Sequence, residues 1–205
     1  MRKSSELLGL PVISLEEGAK VGHIKGLILN PTAKALVALV VEGRGVFKEQ
    51  RFIPFAKVHS MGANAVTVSR GQTAQKAANL PEMVQLWKDR TPLVGARVVT
   101  ESGDILGTVV DYGIDPPTGA VAGLEVAPSS LGATLKGRSW MPAGTLRTLG
   151  KEIIVVSDEA REEITPLDGG LEQRARRLTE KLKGRGLRWR KRTARAEKED
   201  QDFNF

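Results

Sequence analysis

Gly22-His23-Ile24-Lys25-Gly26-Leu27-Ile28-Leu29-Asn30-Pro31, followed by Lys34-Ala35-Leu36-Val37-Ala38-Leu39-Val40-Val41, reads as a strand, a tight turn and a second strand. It returns later as Gly107-Thr108-Val109-Val110-Asp111-Tyr112-Gly113-Ile114-Asp115-Pro116, followed by Gly119-Ala120-Val121-Ala122-Gly123-Leu124-Glu125-Val126. Asn-Pro and Asp-Pro initiate turns, and glycines inside a strand mark bends or close backbone approaches. The second strand of each copy is almost wholly apolar, as expected of a strand that is buried on both faces or curls into a barrel. Two such hairpins imply two related β-units in tandem.

The correspondence continues outward in the same order. Gly9 aligns with Gly95, Val12 with Val98, Ala35 with Ala120, Phe52-Ile53-Pro54 with Trp140-Met141-Pro142, and Val66-Thr67-Val68 with Ile154-Val155-Val156. The offset drifts only across turns, and the longest insertion, Pro128 to Gly137, falls where the first copy has Gly43-Arg44-Gly45. Cores that hold while loops drift are the mark of a duplication. Domain boundaries are therefore expected at 5–70 and 91–158, with a helical linker over 71–90 and a charged helical or unstructured tail over 159–205.

Within the linker, Thr73 to Ala78 and Pro81 to Lys88 read as helical. Pro81 suits a first helical position, and Met83, Val84 and Trp87 share a face. Trp87 is expected to plug a core against one of the barrels. Asp158 has the chemistry to cap a helix starting at Glu159, ahead of the interruption at Pro166-Leu167-Asp168-Gly169-Gly170.

Composition agrees with a β fold. Of the 205 residues, 40% are hydrophobic but only 4% aromatic, so the core must be built from Val, Ile, Leu and Ala. The β-branched members of that set suit strands. There is no cysteine, which removes disulfides, thiolate metal sites and a cysteine nucleophile. The N-terminus lacks the continuous apolar run of a signal peptide, and no stretch approaches the ~18 apolar residues of a membrane span. A soluble, cytoplasmic protein is expected.

Glycine-bearing strand, Asn/Asp-Pro turn, apolar strand and a later aromatic-apolar-Pro element make up a unit that resembles the PRC-barrel family. That family is named for the photosynthetic reaction-centre H subunit and includes the C-terminal domain of the ribosome maturation factor. The residues that carry the likeness are Gly22 and Gly107, Asn30-Pro31 and Asp115-Pro116, Ala35 and Ala120, and Pro54 and Pro142. The resemblance implies a mainly β fold of two small, strongly bent antiparallel barrels, similar to the stand-alone bacterial tandem proteins of the family. These motif residues form turns and core. They transfer a fold and no catalytic site.

Nothing in the sequence assembles into catalysis, and no metal or cofactor is expected. Gly132 to Ser139 approaches a phosphate-binding loop, but Arg138 stands where lysine is required and Trp140-Met141-Pro142 follows instead of a helix. His23 and His59 lack a third ligand and are expected at the surface. Asp111-Tyr112 has groups suited to acid–base work but no partner base, so Asp111 is expected to be a solvated strand residue.

Function is sought in the tail. From Leu171 to Phe205 there are twelve Lys/Arg and six Asp/Glu, so the tail holds six of the seven net positive charges. Arg174, Arg176, Arg177, Lys181, Lys183, Arg185, Arg188, Arg190, Lys191 and Arg192 surround Trp189, a pattern suited to phosphate contacts with an indole free to stack on a base. Leu171, Ala175, Leu178 and Leu182 form a stripe beneath that basic face, which equally suits an anionic membrane surface. The expectation is a non-enzymatic adaptor whose barrels meet a protein partner. Its tail would contact RNA or a ribosomal particle, or attach the protein peripherally to a membrane. Homo-oligomerisation stays open.

Overall fold

The computed structural model describes residues 1–43, 50–89, 92–129 and 137–167. In chain order its elements are β1 (Arg2–Lys3), α1 (Ser4–Leu7), β2 (Pro11–Ser14), β3 (Ala19–Asn30), β4 (Ala35–Glu42), β5 (Gln50–Pro54), β6 (Val58–Met61), β7 (Val66–Val68), β8 (Gln75–Lys76) and α2 (Pro81–Lys88). The second half continues with β9 (Arg97–Thr100), β10 (Ile105–Ile114), β11 (Val121–Pro128), β12 (Ser139–Pro142), β13 (Leu146–Leu149), β14 (Ile153–Val156), α3 (Ala160–Glu163) and β15 (Thr165–Pro166). The fold is mainly β, as expected.

Each half forms one curled sheet, a half-barrel, and the two share a strand order. The first runs β6-β7-β2-β3-β4-β5-β8 and the second β13-β14-β9-β10-β11-β12-β15. Neighbours are antiparallel except β2 with β7 and β9 with β14, which are parallel, so the sheets are mixed rather than purely antiparallel. The sheets also reach past the boundaries expected from the repeat. β8 pairs with β5, β15 pairs with β12, and β1 crosses to pair with β10 of the other half. The helix expected over Thr73 to Ala78 is absent: Gln75–Lys76 is a strand flanked by single 3-10 turns, because the edge of β5 offers its backbone groups a ladder. The helix expected from Glu159 starts at Ala160 and lasts one turn, and the Asp158 carboxylate accepts from the Ser102 amide and hydroxyl instead of capping it.

The shared motif residues do what their chemistry suggests. Asn30 Oδ1 accepts the amides of Thr32 and Ala33, both at 3.0 Å, and Asp115 Oδ2 accepts the Thr118 hydroxyl at 2.6 Å. Gly22 and Gly107 lie where a side chain would be driven into the carbonyl of Glu42 or Ala127 respectively, the same clash in both copies. Pro54 and Pro142 end β5 and β12.

The hairpin tips meet each other. Ala35 and Ala120, equivalent in the repeat, form an antiparallel bridge. Leu36 N donates to Gly119 O and Val121 N donates to Lys34 O, each at 2.8 Å. Equivalent donors meet equivalent acceptors, so a pseudo-two-fold axis passes between the tips. Both turns end in the left-handed region, at Gly119 (φ 74) and at Lys34 (φ 50). For Lys34 that conformation costs about 1–2 kcal/mol; it is offset by the bond to Val121 and by Nζ donating to Leu146 O at 2.6 Å.

One apolar cluster runs through both halves, from Val12, Ile24, Leu39 and Ile53 to Val98, Val109, Leu124 and Met141. Leu7 and Leu93, equivalent in the repeat, are both buried in it. The units are thus two sheets around one core, not two separately packed barrels. Gly22→Ala should lower stability by about 1–3 kcal/mol through overpacking. Because the core is shared, amide exchange measured in β9, β10 and β11 should speed up along with that in β2, β3 and β4. Acceleration confined to the first half would mean that the halves unfold independently.

Candidate functional site

The equivalent outer faces of the two sheets are covered in different ways. In the first half, Gly26, Ile28, Ala38, Val40 and Phe52 lie under α2, whose Met83, Val84, Leu86 and Trp87 close an apolar cluster with Leu80. The Trp87 ring sits directly over Gly26, where a Cβ would collide with it. The helix therefore packs on a sheet as expected, and Trp87 plugs the small apolar core that it forms on that sheet's outer face.

In the second half the same five positions are Asp111, Gly113, Gly123, Glu125 and Trp140. Asp111 and Glu125 are direct partners across β10 and β11, as are Gly113 and Gly123. Two carboxylates opposite one another on a sheet repel, and these are 6% and 3% exposed. Neither could stay charged there without donors. The N-terminal segment supplies most of them. Ser4 Oγ donates to Asp111 Oδ1 and Ser5 Oγ to Asp111 Oδ2, both at 2.5 Å, and the Tyr112 amide adds a third bond at 2.8 Å. Lys3 Nζ reaches Glu125 Oε2 at 2.6 Å, and Arg138 Nη1 reaches Glu125 Oε1 at 2.9 Å. The Trp140 ring lies over Gly113 and Gly123, with Met1 Sδ beside it above Gly113.

Local structure delivers these groups. β1 pairs Arg2 with Ile114 and Lys3 with Gly113, using the stretch of β10 beyond its pairing with β9. α1 turns the chain immediately afterwards, with the Lys3 amide donating to Glu6 Oε2 at 3.2 Å across its first turn. The turn brings both serine hydroxyls onto Asp111 while Leu7 enters the core.

Electrostatics follow from the same contacts. Burial alone would raise the Asp111 and Glu125 carboxyls, but hydrogen bonds outweigh it and hold both below their ordinary values. For Asp111 the bonds come from Ser4, Ser5 and Tyr112; for Glu125, from Lys3 and Arg138. The hydrogen bond to Glu125 raises the Lys3 ammonium. Burial pushes the Tyr112 phenol up, so it stays neutral. The arrangement is a pair of buried carboxylates already holding two cations and two hydroxyls.

Asp111 is therefore not the solvated strand residue expected from the sequence. The strap of residues 1–7 excludes water from it, and the signal lay in the paired replacement of Gly26 and Val40 by Asp111 and Glu125. His23 and His59 are exposed, and no group of three or more His, Asp or Glu fit to hold a metal occurs among the described residues. No helix among the described residues is long and apolar enough to cross a membrane. The basic residues Arg174 to Arg192, and Gly132 to Lys136 of the phosphate-loop look-alike, lie outside the described residues.

Compared with known proteins, the chain matches the family model of the PRC-barrel domain twice, over residues 1–74 and 89–162. No curated protein matches it. The two matches leave out residues 75–88, the stretch that includes α2, which seals the first face, whereas the strap that seals the second lies inside the first match.

Both carboxyls are depressed in the folded state, so they add stability above their unfolded values, which are near 3.8 and 4.5. That stability is lost as pH falls through the lower folded values. Lys3 acts oppositely: its contribution is present below about 10.5 and is lost as pH rises through its raised value. Lys3→Ala should cost roughly 1 kcal/mol at neutral pH, since its ammonium is partly solvated and Arg138 remains on Glu125. Urea denaturation at pH 7 and pH 3 should show the wild-type advantage over Lys3→Ala shrinking at the lower pH. An advantage that is unchanged by acid would contradict this account.

Proposed function

The chain belongs to the PRC-barrel domain family, and from that premise we propose that it is a non-enzymatic adaptor that binds a protein partner through its sheets. The observation that carries this reading is the second outer face, where buried carboxylates are satisfied by a segment from elsewhere in the chain. Such a face is built to hold a polypeptide: Asp111 and Glu125 are buried, and side chains of residues 3–5 supply hydrogen bonds to both. The residues common to both copies, Gly22 and Gly107, Asn30-Pro31 and Asp115-Pro116, Pro54 and Pro142, shape turns and strand ends. They leave partner choice to positions where the copies differ.

The tail adds electrostatic attachment. Eleven Lys/Arg between Arg174 and Arg195 stand against Glu180 alone, with Trp189 among them. In this reading the segment contacts RNA or a ribosomal particle in the cytoplasm, releasing counterions as it does so. The stripe at helical spacing, Leu171, Ala175, Leu178 and Leu182, supports a second reading, peripheral attachment to an anionic membrane.

A tagged pull-down with and without residues 169–205 separates these contributions. Protein capture should survive the truncation, whereas retention of RNA should vanish with it. If six of the cations contact single-stranded phosphates, log Kobs should fall against log salt with a slope of about −4. Flotation with anionic vesicles but no RNA retention at low salt would move the tail to the membrane reading. Loss of protein capture on truncation would remove the role given to the sheets.

A further inference from the structure

We propose that the outer face of the second sheet is a docking site for an extended peptide segment presenting a lysine followed by two hydroxyl side chains. In this structure the chain's own residues 1–7 occupy it as an internal ligand. The inference deepens the adaptor reading by naming one surface and the chemistry it recognises.

Recognition is written in three features. The two carboxylates are cross-strand partners, Glu125 taking the lysine and Asp111 the hydroxyls of the next two residues. The backbone of β10 supplies register: β9 pairs with Ile105, Gly107 and Thr108 only, so the edge at Gly113 and Ile114 is left for an incoming strand, and β1 takes it. Edge pairing of this kind gives affinity through main-chain bonds and specificity through alternate side chains. Gly113 and Gly123 then make room for the Trp140 ring and the thioether of Met1.

Displaceability follows from comparison with the other face. There, Leu80 and four apolar side chains of α2 close the sheet, a cover that salt and pH barely affect. Here the cover over the face is a two-residue ladder, a methionine left 62% exposed, a lysine whose side chain is still 35% exposed, and hydroxyl contacts to carboxylates that the strap itself buries. Once the strap lifts, water and competing donors can satisfy both carboxylates, so opening leaves no charge buried and unpaired. Segments so held open at low free energy while the core beneath stays folded. The apolar anchor, Leu7, comes after the recognition residues, so Met1 to Ser5 can lift without emptying the core.

The test uses the full chain and a fluorescein-labelled peptide of the sequence Met1 to Leu10, followed by anisotropy. In the Lys3→Glu chain the strap loses its ion pair with Glu125, which keeps Arg138, and the face is freed. The peptide should bind this chain at least tenfold more tightly than wild type, with a shift in Trp140 emission. A peptide carrying the same Lys3→Glu change should bind neither. Combining Asp111→Asn and Glu125→Gln with the host change should abolish binding. Should the Lys3→Glu chain fail to fold, the Ser4→Ala/Ser5→Ala chain serves as the freed host with the same expected ordering. Equal binding to freed and wild-type chains, or binding indifferent to the two carboxylates, overturns the proposal. So does a concentration-dependent dimer with no gain in peptide binding, which would assign the face to a second copy. Failure here leaves protein capture in the pull-down intact, so the adaptor reading and this surface stand or fall separately.

Discussion

The exchange of backbone hydrogen bonds at the hairpin tips sets how the two halves meet. Leu36 to Gly119 and Val121 to Lys34 are equivalent bonds, made possible because both turns end in left-handed backbone that brings the tips side by side. Once Ala35 faces Ala120, the two sheets must share a core, and neither inner surface is closed on its own. Each half's leading segment then runs onto the other half: Leu7 and Leu93 fill equivalent places, β1 pairs with β10, and α2 lies on β3's sheet. The duplication is held together by crossing segments as much as by the tips.

That crossing explains why two copies of one fold acquired different outer faces. A face is covered by whatever precedes the other copy, and the two leaders have unlike lengths and compositions. α2 is eight residues with a tryptophan and supports an apolar face. The N-terminal leader offers a two-residue strand, one helical turn, a lysine and two serines. A face with so little apolar cover gains by being polar, provided every buried oxygen has a donor. Asp111 and Glu125 meet that condition with donors from Lys3, Ser4, Ser5, Tyr112 and Arg138.

Much of the fold was legible in the sequence because its strongest signals are local. Asn30-Pro31 and Asp115-Pro116 declare turns, Leu36 to Val41 declares a buried strand, and the repeat aligns them. Gln75–Lys76 was not legible: two polar residues next to a helix-like pattern become a strand only because the edge of β5 is free. Asp111 was misread for a related reason. Its neighbours in sequence suggest a strand face open to water, and only the path of residues 1–7 removes that water. The parallel pairs β2–β7 and β9–β14 likewise depend on long-range placement that alternation cannot encode.

Comparison of the copies nevertheless held the needed clue, and the physics of pairing says why it should be read in pairs. A single apolar-to-acid change on a covered face would leave a buried charge, which is strongly unfavourable. Two such changes at cross-strand positions would be worse, through mutual repulsion, unless the covering segment changed with them. Gly26 with Val40 against Asp111 with Glu125 is therefore a statement about a third element, and the leader that covers the second face brings a cation and two hydroxyls in sequence, Lys3-Ser4-Ser5. In a duplicated fold, paired charge differences between copies point to the segment that crosses over them. The same logic locates specificity here in the contact between the second face and its leader, rather than in the glycines and prolines that both copies keep.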